Sequence, residues 1–128
     1  MSHYGPHLVM TGAGCAPGCL AFFDKVAHFL RELPALIGMT IIDGPFVKKV
    51  DDGVSGLVLI AESHIAIHTW PAEGIFDMDV FSCKDFDAEE AVRFTAAFWA
   101  AGEWSWQIIK RGLDHGEKAV GGGRLSDP

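Results

Sequence analysis

Eight side chains suited to nucleophilic attack or proton transfer fall in the middle third of this chain: Ser55, Glu62, Ser63, His64, His68, Asp77, Asp79 and Cys83. They interrupt segments that otherwise read as core strands: SGLVLIA, HIAIHT and IFDMDVFS. A serine hydroxyl beside an imidazole is a nucleophile with a base poised near neutral pH, and a thiol nearby can return a proton to carbon. In extended chain His64, Ala66 and His68 share one face while Ile65 and Ile67 share the other, and Asp77, Asp79, Phe81 and Cys83 form a single face one hairpin away. Pairing of these strands would bring His68 near Cys83. Plainer roles compete at each position: strand histidines are often exposed or satisfied, Cys83 can be a structural thiol, and Ser63 beside Glu62 can be a turn serine. Zinc held by His64, His68 and Cys83 is geometrically open, but two same-face strand histidines are no specific signature, and no metal is assigned.

The elements that must position these groups follow from periodicity. His7 to Thr11 predicts an edge strand, with Gly12, Gly14, Pro17 and Gly18 breaking it. Phe22, Val26, Phe29, Leu30 and Leu33 recur at helical spacing, which predicts a helix from Cys19 to Leu33 that stops before Pro34. A strand over Met39–Asp43 and a turn at Gly44 and Pro45 come next. The three central strands follow, the last two joined by a hairpin loop at WPAEG. A second helix is expected from Asp87 to Ala101, a last strand from Trp104 to Lys110, and a disordered tail over 116–128. The order predicts an α+β two-layer sandwich: a mainly antiparallel sheet with two helices on one face, forming a single domain over 1–115. Such a sheet leaves its other face bare for polar groups, a ligand or a second subunit.

Composition narrows the class. Ten Lys and Arg against 17 Asp and Glu give a formal charge of −7, which argues against a nucleic-acid partner and favours a cationic one. No apolar run is long enough to span a membrane and no signal peptide is seen, so a cytoplasmic protein is expected. The three cysteines, Cys15, Cys19 and Cys83, are expected as free thiols.

The run AESHIAIHTWP, followed by DVFSC and preceded by DGVSG, resembles the prokaryotic S-adenosylmethionine decarboxylases, small pyruvoyl-dependent enzymes made as self-cleaving proenzymes. The similarity in layout extends from about His7 to Gly112. The resemblance implies cleavage between Glu62 and Ser63, giving chains of 62 and 66 residues, with Ser63 becoming a pyruvoyl group and no external cofactor. It implies that His68 assists processing by removing the Ser63 α-proton, that Ser55 serves the same step, and that Cys83 is the proton donor in decarboxylation. It also implies a homodimer, which fits the bare sheet face.

For the substrate, the resemblance implies S-adenosylmethionine, converted to its decarboxylated form and CO2 in polyamine biosynthesis. Phe46 is then the candidate adenine platform and Glu73 the candidate ribose ligand. Three departures bear on this. The family's HTWPE reads HTWPA here, with Glu73 one residue late; its HLLVDLYGC reads HLVMTGAGC; and Asp77 stands where a small apolar residue is usual. Asp77 or Asp79 would suit a small cationic amino acid, so L-arginine or L-ornithine is the alternative substrate. A relative that does not process and acts as a regulatory partner is the other alternative.

Overall fold

The computed structural model describes residues 5–111 and 118–125. Among the described residues seven strands make one sheet: β1 (Gly5–Ala13), β2 (Ile41–Val50), β3 (Gly53–Ile60), β4 (Ser63–Trp70), β5 (Ile75–Ser82), β6 (Glu103–Arg111) and β7 (Lys118–Arg124). Their order across the sheet is β2-β3-β4-β5-β1-β6-β7, every neighbouring pair antiparallel. Two helices, α1 (Phe23–Leu36) and α2 (Ala88–Phe98), cover one face, so the α+β two-layer architecture is the one expected.

The covered face is built by strict alternation. Val58 and Ile60 of β3, Ile65 and Ile67 of β4, Phe76, Met78 and Val80 of β5, and Leu8 and Met10 of β1 are all buried. Each large apolar side chain so buried contributes about 1.5–3 kcal/mol. From the helices Phe29 meets Phe94, Phe98 and Trp99 with ring centroids 6.0, 5.3 and 5.5 Å away. Gly12 belongs to this packing, because a β-carbon there would lie 2.2 Å from the Phe76 ring. Asp87 caps α2 by accepting from the Glu90 amide at 3.0 Å.

Four expectations need correction. The first strand is central, between β5 and β1's other neighbour β6, because Leu8 and Met10 carry the alternation of a core strand. α1 begins at Phe23, later than expected, and runs through Pro34 to Leu36: Pro34 and Leu33 are both buried, and the Pro34 carbonyl still accepts from Met39 at 2.8 Å. Gly44 and Pro45 do not end a strand; their cis peptide lies inside β2, where the pairing with β3 shifts register. The tail supplies β7, whose Gly121 and Gly123 give the rings of Trp106 and Trp104 room that β-carbons would fill. Among the described residues no helix is long and apolar enough to cross a membrane.

Candidate active site

The face away from the helices carries the polar groups, and the register arranges them in rows. One row crosses the sheet as Ser55, His68, Asp77, Thr11 and Ser105. A second, four residues along β4, runs Leu59, His64, Phe81, His7 and Ile109. Between them Leu57, Ala66, Asp79, Val9 and Gln107 form a third, with Phe46 of β2 opposite Leu57. A shallow depression of about 690 Å³ opens over these rows, with His7, Thr11, His68, Asp77, Asp79 and Gln107 in its lining.

At one end lies the hairpin joining β3 to β4. Only Ala61 and Glu62 connect Ile60 to its partner Ser63, and Glu62 has φ 69°, a left-handed conformation that disfavours residues with a β-carbon. Ser63 is half-buried and its register partner is Ser82, so Cys83, the next residue, lies at the same end of the sheet. The Ser63 hydroxyl is 3.5 Å from Nδ1 of His64. His64 Nε2 in turn lies 2.9 Å from Oδ2 of Asp79, and His7 Nε2 reaches the same oxygen at 2.9 Å. Burial pushes the Asp79 carboxyl up, but the hydrogen bonds from His7 and His64, with the attraction those rings exert when protonated, outweigh it and hold the group below its ordinary range. Arg111 lies over the Phe81 ring, 4.1 Å from its centroid, beside the two histidines.

At the other end Ser55 Oγ and His68 Nδ1 are 2.8 Å apart, and the Thr11 hydroxyl donates to Asp77. A second cleft of about 280 Å³ begins here, lined by Ser55, His68, Trp70 and the loop residues Ala72 and Glu73. That loop is closed by Gly74 at φ 68°, where a β-carbon would meet the Cys15 carbonyl at 2.8 Å. Phe46 stands half-exposed on β2, in the middle row.

The register therefore brings Ser55 and His68 together and sets Ser63 opposite Ser82, one residue short of Cys83, with the two ends kept apart. His68 faces Asp77 and lies five residues from Ser63, about 16 Å along a strand. The expected closeness of His68 to Cys83 is thus corrected: six residues, about 20 Å, separate Asp77 from Cys83 along β5. The same spacing dismantles a zinc site of His64, His68 and Cys83. The sequence does not single out His7, and it offers Asp79 as a chemical group on the face of Asp77 without its two imidazole partners. The three ligand atoms of His7, His64 and Asp79 lie within 4.8 Å of one another, although two Nε2 atoms on one carboxylate oxygen are fully accounted for as hydrogen bonds. All three cysteines are free, as expected.

Comparison with known proteins gives a consistent result. A family model described as S-adenosylmethionine decarboxylase matches residues 6–112. The S-adenosylmethionine decarboxylase proenzyme of Pyrococcus abyssi is 34% identical over 119 residues, 92% of this chain and 86% of that one. The proenzyme of the same name from Syntrophomonas wolfei is 36% identical over 114 residues, 88% of this chain and 90% of that one. The crystal structure of the adenosylmethionine decarboxylase from Aquifex aeolicus superposes with a TM-score of 0.77 at 24% identity, covering 91% of this chain and 98% of that one, and bears on the fold alone. The family match and these relatives overturn the small cationic amino acid inferred as a partner from Ala72 and Asp77. A guanidinium partner for Asp77 or Asp79 is withdrawn with it.

Proposed function

The chain belongs to the S-adenosylmethionine decarboxylase family, and from that premise we propose that it converts S-adenosylmethionine to decarboxylated S-adenosylmethionine and CO2, using a pyruvoyl group made from its own Ser63. The observation that carries the reading is the family match across 6–112 together with the position of Ser63 at the mouth of a two-residue hairpin turn. A cut between Glu62 and Ser63 severs the turn while leaving the pairs from Ser55↔His68 to Ile60↔Ser63 intact, so both fragments stay in one sheet. The residues present therefore fit the group: a serine follows the scissile peptide, and Glu62 supplies the carbonyl that it attacks.

A pyruvoyl group, once formed, supplies an electron sink for the bond to CO2. Everything else falls to side chains. Cys83, the residue after the Ser82 that pairs with Ser63 at the hairpin end, donates the proton that completes the product. Phe46 offers an aromatic face to the adenine, Glu73 a carboxylate to the ribose hydroxyls, and Asp77 negative potential that suits a sulfonium. His68, with Ser55 hydrogen-bonded to it, removes the Ser63 α-proton during processing. A base about 16 Å along the strand cannot do so within one chain. The role therefore requires that a second copy bring its Ser55–His68 end, with Glu73, against the Ser63–Cys83 end of the first, across the face the helices leave bare. Three free thiols and the absence of a membrane-length helix among the described residues support a cytoplasmic location.

The test is CO2 release from carboxyl-labelled S-adenosylmethionine by purified protein. Release that disappears on borohydride reduction supports the reading; no release from a protein already cut before Ser63 would reject the substrate.

A further inference from the structure

We propose that Ser63, His64 and Asp79 form a proton relay that starts the cleavage of this chain, with His64 Nδ1 as the base for the Ser63 hydroxyl. The inference rests on reading Ser63 as the cleavage nucleophile and adds the group that activates it.

Processing must move two different protons, one from Ser63 Oγ during attack and one from Ser63 Cα during elimination. His68 is placed for neither within the chain, being about 16 Å along the strand. His64 is the imidazole that touches Ser63, with Nδ1 3.5 Å from Oγ. Its other nitrogen lies 2.9 Å from Asp79 Oδ2. An ionised carboxylate accepts a hydrogen bond from Nε2–H, and a neutral imidazole with its proton on Nε2 carries its lone pair on Nδ1, the side facing Ser63. His7, donating to the same Oδ2 at 2.9 Å, pins the carboxylate in place. The ring is further bounded by Phe81, 6.2 Å between centroids, and by its register partner Leu59. The gap of 3.5 Å is a resting distance, of the kind that closes when the nucleophile moves onto its target.

The step balances without any co-reactant. As the Oγ–carbon bond to the Glu62 carbonyl forms, the Oγ proton passes to His64 Nδ1. When the carbon–nitrogen bond breaks, the same proton returns to the departing Ser63 nitrogen. The product is an ester isomeric with the starting amide, and nothing is oxidised or reduced. Asp79 acts through His64 and is a positioning residue.

The experiment follows full-length protein from cell-free synthesis by denaturing mass spectrometry, with and without hydroxylamine, which cuts an ester before Ser63 but not the amide. The wild type should convert to fragments over time. His64→Ala and His64→Gln, folded as judged by circular dichroism and thermal midpoint, should slow ester formation about 10²–10⁴-fold, leave no hydroxylamine-sensitive species, and in the alanine variant respond to added imidazole. Asp79→Asn should slow cleavage and Asp79→Glu should recover most of it, a rescue that a purely structural role would not show. If the wild type never cleaves before Ser63, the underlying reading fails. If it cleaves and both His64 variants cleave at its rate, or accumulate ester, only the relay is overturned. Cleavage lost to a chelator and restored by Zn²⁺ would also overturn it, assigning His7, His64 and Asp79 to a metal.

Discussion

The two ends of the open face differ in how complete they are within one chain. The hairpin end holds the peptide proposed to be cut, a left-handed Glu62, a thiol, and an imidazole tied through Asp79 to a second imidazole. The far end holds a hydrogen-bonded serine and histidine, a loop carboxylate and a cleft, with no peptide to act on. Both ends lie on the same strands, β4 above all, and the rigidity of the sheet keeps them apart. The lesson is that neighbours in the motif are not neighbours in space: five residues of β4 separate Ser63 from His68 and leave each end with half of a reaction.

The largest effect expected is at the far end. His68→Ala should stop cleavage, and the comparison makes a sharper demand. Co-expressed with Ser63→Ala, the His68→Ala chain should be cut while the Ser63→Ala chain stays whole, as read by mass. Failure of such complementation between two folded variants would break the division between the ends. Next comes the hairpin end. Cys83→Ala should still process, at least in part, yet lower the rate of CO2 release about 10²–10⁴-fold, because it removes a positioned acid rather than the electron sink. Normal turnover by this variant would remove Cys83 from the site.

Glu73→Ala should raise KM for S-adenosylmethionine about tenfold with little change in kcat, the loss of one charge-assisted hydrogen bond. An unchanged KM would show that the one-residue displacement after Pro71 turns Glu73 away from the ribose. The smallest effect concerns stability. Asp79 titrates below its ordinary range when folded, so its contribution is present above the unfolded value and disappears as pH falls through the folded one. Asp79→Asn should therefore lower the thermal midpoint near neutral pH, and the gap to the wild type should close as pH falls below the ordinary aspartate range. A gap that stays constant would mean the loss is packing and not charge.

Much of the scaffold was legible because burial writes itself as periodicity. Ile65 and Ile67 set against His64 and His68 identified both faces of β4, and Phe29, Leu30 and Leu33 identified α1. Elements without such a pattern were legible in part or not at all: β2 was expected only as far as Asp43 because it bends around Gly44 and Pro45, and β7 is rich in glycine, which leaves few side chains to alternate. The relation of His68 to Cys83 failed for a different reason. Alternation assigns faces but not register, and register lay in the loop. A hairpin closed by Trp70 opposite Ile75 puts His68 opposite Asp77 and His64 opposite Phe81 by counting back along both strands, so the signal was there in the length of the WPAEG connection. His7 left no such trace, since only the central position of β1 brings it to Asp79.

The fate of the bond before Ser63 decides whether this chain makes its own pyruvoyl group, and the most direct measurement is the mass of the purified protein under denaturing conditions. The account predicts two chains, residues 1–62 and 63–128, together heavier than the intact 13.8 kDa chain by a water and lighter by an ammonia, the second blocked at its N-terminus by a pyruvoyl group. A single 13.8 kDa species, or a cut at any other bond, would contradict it.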